Sequence, residues 1–312
     1  MSEALSGRIY RAQCMGNIEP VEFMVPYPNI YSLLEGENVK YGHQVLFIDY
    51  NLSNKDFLCL VHQGANWLRE NDLKPKERVF IHDLECPMAE IIAFSIWAYG
   101  ATVVLASSTS GKININEIEP SFVINKINCP SIESLKNYST EFMPTFRPAL
   151  LNEALIYCIA DKNIQLSHYN LLVNTNGIKK FLGLNRDDTL LVKLEPESTA
   201  WAVLQLLLPL YAAASITNVN PKIILGVEGQ FENTDYIIKM NWTEISKENN
   251  TIFILPENTA VLCVGDKPIH MTTIDKRNKI MKINGHSVMI GYLNDKNNEA
   301  VFRDKGMMIK RS

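Results

Sequence analysis

Residues 152–216 read NEALIYCIADKNIQLSHYNLLVNTNGIKKFLGLNRDDTLLVKLEPESTAWAVLQLLLPLYAAASI. An apolar run at 154–160 passes through a polar turn to Ser167-His168, where a helical pattern begins. A Gly183-Leu-Asn-Arg-Asp-Asp188 turn leads to a second apolar run at 189–194 and a second apolar helix that ends at Leu210. Strand, helix, strand, helix predicts an α/β fold, an open sheet with helices on its faces.

The same alternation extends upstream. The segment 45–50 reads as a strand. Ser53 is a candidate N-cap for a helix whose apolar face is Phe57, Leu60, Val61, Ala65 and Leu68. A Lys-Pro turn precedes a strand at 78–81. Pro87 opens an apolar helix at 89–99, Gly100 ends it, and 101–105 is the next strand. A β-α-β-α-β series predicts parallel pairing. Residues 1–43 read as irregular apart from a short helical piece from Tyr31, and 126–150 as a polar loop or linker. From Thr251 the pattern turns to short β runs, which predicts a small antiparallel lobe. The expected division is an α/β region at 1–245 and a β lobe at 246–312.

With 312 residues, 46% of them hydrophobic, the chain can bury a large core. A net charge of −4 gives no basic surface for nucleic acid. The six cysteines form no C-x-x-C pair, which predicts free thiols and no zinc site. The start MSEALSGRIYRAQ has no apolar signal region, and the apolar stretches 89–106 and 199–216 are broken by Gly100, Gln205 and Pro209. A cytoplasmic protein without a membrane span is therefore expected.

Several segments resemble the acyl-adenylate-forming enzymes, the AMP-dependent acyl-CoA synthetases and ligases. These are Leu73-Lys-Pro-Lys-Glu-Arg-Val79, Tyr99-Gly-Ala-Thr-Val-Val104, Leu166-Ser-His168, Val264-Gly-Asp-Lys-Pro268, Thr273-Ile-Asp275 and Ile283-Asn-Gly-His-Ser-Val-Met-Ile-Gly-Tyr-Leu-Asn294. They run from about Val45 to Gly306. The resemblance implies the N-terminal domain of that family: mostly parallel sheets flanked by helices, with a smaller antiparallel lobe. It also implies a chemistry that uses ATP, Mg²⁺ and CoA.

The residues for that chemistry are sparse. The family's Ser/Thr/Gly-rich phosphate loop should fall between Tyr157 and Leu166, where this chain has Cys158-Ile-Ala-Asp-Lys-Asn-Ile-Gln165. Without glycine or hydroxyl, that turn offers a phosphate few amides, and Asp161 opposes an anion. Lys162 remains as a point charge. The family's Tyr-Gly-x-Thr-Glu, which touches AMP and Mg²⁺, corresponds to Met240-Asn-Trp-Thr-Glu244, which makes Thr243 and Glu244 candidate cofactor-binding residues. Ser107-Ser-Thr-Ser-Gly-Lys112 looks like a phosphate loop but fails the Walker pattern at both ends. No catalytic residue is assigned, no histidine spacing suits a metal, and His168 reads as a helix-start residue. Between the strands at 215–219 and 222–226, the family's pocket-walling helices are missing. The sequence ends at Ser312, where the family's ribose-binding Asp and mobile lysine-bearing domain would follow.

The expected function is a non-catalytic binding or partner module on an acyl-CoA synthetase scaffold, with ATP use doubtful. One alternative is a ligase half active only with a separate chain that supplies the lysine domain. Another is a self-associating structural protein. Candidate partners are a small carboxylic acid or nucleotide, another protein, or a second copy of the chain.

Overall fold

The computed structural model describes residues 4–107, 115–160, 162–240, 245, 247–277 and 280–310. Phosphate-loop candidates 108–112, Asp161, Thr243 and Glu244 lie outside these residues.

Among the described residues the strands form three sheets. The largest has Thr251–Ile254, Tyr236–Lys239, Ile223–Val227, Thr189–Val192, Ser215–Ile216 and Val45–Phe47 in parallel order. Val261–Val264 and Lys267–Pro268 finish one edge antiparallel, and Leu52–Ser53 finishes the other. In the second sheet, Glu153–Ile159, Thr102–Ala106, Arg78–Ile81 and Phe122–Ile124 are parallel. Lys162–Ser167 and Gly291–Tyr292 extend it antiparallel. The third sheet is small and wholly antiparallel: Thr272–Arg277, Ile280–Gly285, Gly306–Lys310 and Phe302–Arg303. The α/β expectation of mostly parallel sheets with an antiparallel companion therefore holds.

Three local readings change. The run 251–268 joins the large sheet, because Thr251–Ile254 is buried at every position and lies parallel to its neighbour. The separate antiparallel sheet begins only at Thr272. The polar turn before Ser167 is itself a strand, with Asn163, Ile164, Leu166 and Ser167 buried. The N-terminal stretch contains the helices Leu5–Gln13 and Ile30–Tyr41.

Helix starts follow their caps. Ser53 Oγ accepts from Asp56 N–H, and the Asp56 side chain answers Ser53 N–H, at the head of Asn54–Glu70. Ser167 forms the same box with Asn170 at the head of His168–Leu182. Ser167→Ala is expected to lower unfolding stability by about 1 kcal/mol, read as a reduced urea midpoint at unchanged slope; an unaltered midpoint would show that the cap is not needed there. The helices Asn54–Glu70 and Met88–Tyr99 pack closely because Gly64 leaves room: a Cβ there would meet Ser95 Oγ at 2.2 Å. Residues 126–150 run over the first of these helices. Asn66 Nδ2 donates to the carbonyls of Ser139 and Glu141, and Gln63 Nε2 to that of Tyr138. One continuous apolar core joins both large sheets and these helices.

The link from Ser215–Ile216 to Ile223–Val227 is the structurally unusual one. Both strands lie parallel to Thr189–Val192, on opposite sides of it. A crossover of this kind ordinarily contains a helix. Here only residues 217–222 intervene. Asp49 secures them, accepting from Thr217 Oγ1 at 3.0 Å and from the Asn218 amide N–H at 2.8 Å.

Candidate functional site

The carboxyl ends of six parallel strands, drawn from both large sheets, open onto one cleft of about 860 Å³. Ligands of open α/β sheets commonly bind at such strand ends, and the volume suits a small ligand. Ser107 follows the strand Thr102–Ala106, Ile159 ends its strand, and Lys193 and Leu194 follow Thr189–Val192. Val227, Met240 and Leu255 stand at the ends of the next three strands. The walls are largely apolar; Lys162, Lys193 and Lys310 bring cations to the lining, and Glu195, Glu197 and Glu257 bring carboxylates.

Lys162 sits where the strand Glu153–Ile159 turns back on itself. Ile159 pairs directly with Lys162, so only Ala160 and Asp161 connect the two strands. Ala160 has φ 52°, as a tight hairpin turn requires. At the position expected to hold a phosphate loop, the two strands therefore pair right up to Ile159 and Lys162. Lys162 Nζ lies 4.0 Å from Glu257 Oε1 and 5.7 Å from the centroid of the Tyr292 ring. Tyr292 Oη donates to Glu257 Oε1 at 2.9 Å. Asn298 holds Tyr292 from behind, accepting from its N–H and donating to its carbonyl. Lys162 thus reaches the cleft as half of an ion pair, oriented by a phenol and by a segment from the far end of the sequence. Sequence reading singled out the Gly291-Tyr292 motif, but nothing local marked Glu257 as its partner.

Thr243 and Glu244 lie outside the described residues; Met240, the residue before 241–244, lines the cleft. The cleft wall at 194–199 is Leu-Glu-Pro-Glu-Ser-Thr. Tyr157 Oη donates to Pro196 O at 3.2 Å, and Glu197 Oε1 accepts from Asp83 N–H at 3.3 Å.

The other reactive side chains are structural. His168 is buried at the first turn of its helix, Nδ1 facing Ile30 N–H at 3.4 Å, and burial holds its imidazole down at about 3. The six cysteines are free thiols. Burial pushes Cys129 up to about 11, and Cys158 and Cys263 to about 12, so these thiols stay protonated at neutral pH. Among the described residues no group of three His, Cys, Asp or Glu could hold a metal ion, and no helix is long and apolar enough to cross a membrane.

No protein-family model matches the sequence, and no curated protein is similar to it. Solved structures are. MatB from Rhodopseudomonas palustris, in its apo form, is 15% identical, with a TM-score of 0.73 over 90% of this chain and 75% of its own. The O-succinylbenzoate coenzyme A synthetase MenE from Bacillus subtilis is 12% identical, at 0.72 over 90% and 75%. The N-terminal subdomain of NpsA from Klebsiella oxytoca is 14% identical, at 0.72 over 92% and 96%. The chain thus shares the fold of these structures, the isolated N-terminal subdomain of NpsA among them.

Proposed function

We propose that the protein is a ligand-binding or partner module on the acyl-CoA synthetase scaffold, without adenylating chemistry of its own. The observation that carries this reading is the direct pairing of Ile159 with Lys162. A polyphosphate is held by a run of amides and hydroxyls in a glycine-rich concavity. Strand pairing that runs right up to Ile159 and Lys162 leaves little chain there for such a run, and Lys162 is shared with Glu257. The apolar walls suit instead an amphipathic carboxylate: carbon chain against the walls, head group toward Lys193 or Lys310, the lining lysines not paired with Glu257.

Calorimetric titration tests both halves. ATP·Mg²⁺ is expected to give no saturable heat up to about 1 mM, whereas a Kd below about 10 μM would overturn the reading. Decanoate is expected to bind with saturable heat, and in NMR spectra to shift the amides of Lys162 and Leu194; its failure to bind would remove the carboxylate as ligand.

A second reading, a ligase half completed by another chain, draws on the cleft being open and ligand-sized. ATP–pyrophosphate exchange that appears only on mixing with a candidate chain would establish it. The same open cleft speaks against a structural protein whose pocket is filled by its own side chains.

A further inference from the structure

The cleft wall at 194–199 begins just past the end of a strand, where the amide of Leu194 needs an acceptor off the ladder. Gln205 Oε1 provides it at 2.6 Å. Gln205 lies in the π-turn Ala202–Leu207, and its Nε2 donates to Glu90 Oε1 at 2.7 Å. Glu90 comes from the helix Met88–Tyr99 and is 0% exposed; Gln205 is 4% exposed.

A glutamine amide can face either way. Only one orientation offers oxygen to Leu194 N–H, and it requires an acceptor on the other side. Glu90 supplies that acceptor and so selects the orientation. A buried carboxyl is an expensive way to fill space between a helix and a π-turn. The cost is visible here: burial pushes the Glu90 carboxyl up, although Gln205, the Cys86 thiol and the Trp201 indole all face it. An apolar side chain would avoid that cost, but it would leave Gln205 free to turn its NH₂ toward Leu194.

We propose that Glu90 and Gln205 are positioning residues for the cleft. Glu90 fixes the Gln205 amide, Gln205 fixes Leu194, and the wall at 194–199 is thereby held in its ligand-ready shape. This rests on the reading of the cleft as a binding site, and two readouts separate the failures.

The first is hydrogen exchange of the Leu194 amide in the free protein, measured against amides of the strand Arg78–Ile81. Glu90→Leu and Gln205→Leu are each expected to speed Leu194 exchange by about tenfold or more over wild type, with the reference strand unchanged. Glu90→Gln keeps a carbonyl acceptor and is expected to stay within about twofold. The second is decanoate affinity, expected to weaken about tenfold in the two leucine variants and to be retained in Glu90→Gln. Unaltered Leu194 exchange in Glu90→Leu, or equal impairment in Glu90→Leu and Glu90→Gln, overturns the proposal. Should Glu90→Leu fail to fold, Gln205→Leu and Glu90→Gln decide by the same criteria. If decanoate does not bind wild type, the binding reading fails, and the exchange experiment still decides whether Glu90 positions the wall.

Discussion

Among the described glycines whose surroundings are resolved, Gly285→Ala is expected to be the most destabilising single methyl addition. Gly285 ends the strand Ile280–Gly285 at the open end of the small sheet's hairpin, paired with Thr272, with φ +142°, a region that side chains scarcely enter. A Cβ there would lie 2.1 Å from Met271 O and 2.9 Å from Thr272 Cα, both backbone atoms that no rotamer change can move. Strain and clash together should cost about 3 kcal/mol or more, a melting drop of roughly 6–12 °C in a chain of this size. Gly229→Ala is the control. Its φ is +79° with nothing within 4 Å, so only the conformational cost of about 1 kcal/mol applies. Equal melting temperatures for the two variants would show that the hairpin yields where the structure says it does not.

Acid should undermine the fold through His168. Its folded imidazole titrates at about 3, below the ordinary 6.5, because burial disfavours the charged form. Between those values the unfolded chain binds the extra proton, so stability rises with pH and is lost as pH falls. The slope is about 1.4 kcal/mol per pH unit once below roughly 6. Burial also lowers His270 and His286, with the same sign. Burial raises Glu90, a contribution of opposite sign that is present in acid and lost as pH rises above the ordinary carboxylate range. The His168 share is isolated by difference: the stability of wild type minus that of His168→Gln, from urea unfolding, should shrink by about 1.4 kcal/mol per unit between pH 6 and 4. A difference that stays constant with pH would mean that His168 is not held neutral in the folded state.

Much of the scaffold was legible in the residues because local signals agreed. Ser53 caps the helix it was expected to cap, Gly100 ends the apolar helix before Thr102–Ala106 with φ +80°, and apolar runs became buried parallel strands. Misreadings arose where polarity disguised pairing. Lys162–Ser167 looks like a turn because the polar Asn163 and Ser167 are buried. Asn163 donates to Glu117, and Ser167 caps a helix. The site was less legible than the scaffold. Its lysine could be named from position, but Glu257 lies 95 residues beyond Lys162, and Tyr292 35 further on. The pairing of Glu90 with Gln205 spans 115 residues. Contacts of that range leave no periodicity to read.

The late strand Gly291–Tyr292 has a bearing on biosynthesis. It covers the free side of Lys162–Ser167, a strand synthesised more than a hundred residues earlier. Likewise the early strand Val45–Phe47 gains its parallel neighbour only with Ser215–Ile216. On the ribosome, then, both sheets wait with open hydrogen-bonding borders until most of the chain has emerged. Such nascent intermediates are prone to mispairing, so the yield of native protein should depend on translation speed and on chaperones that shield those borders.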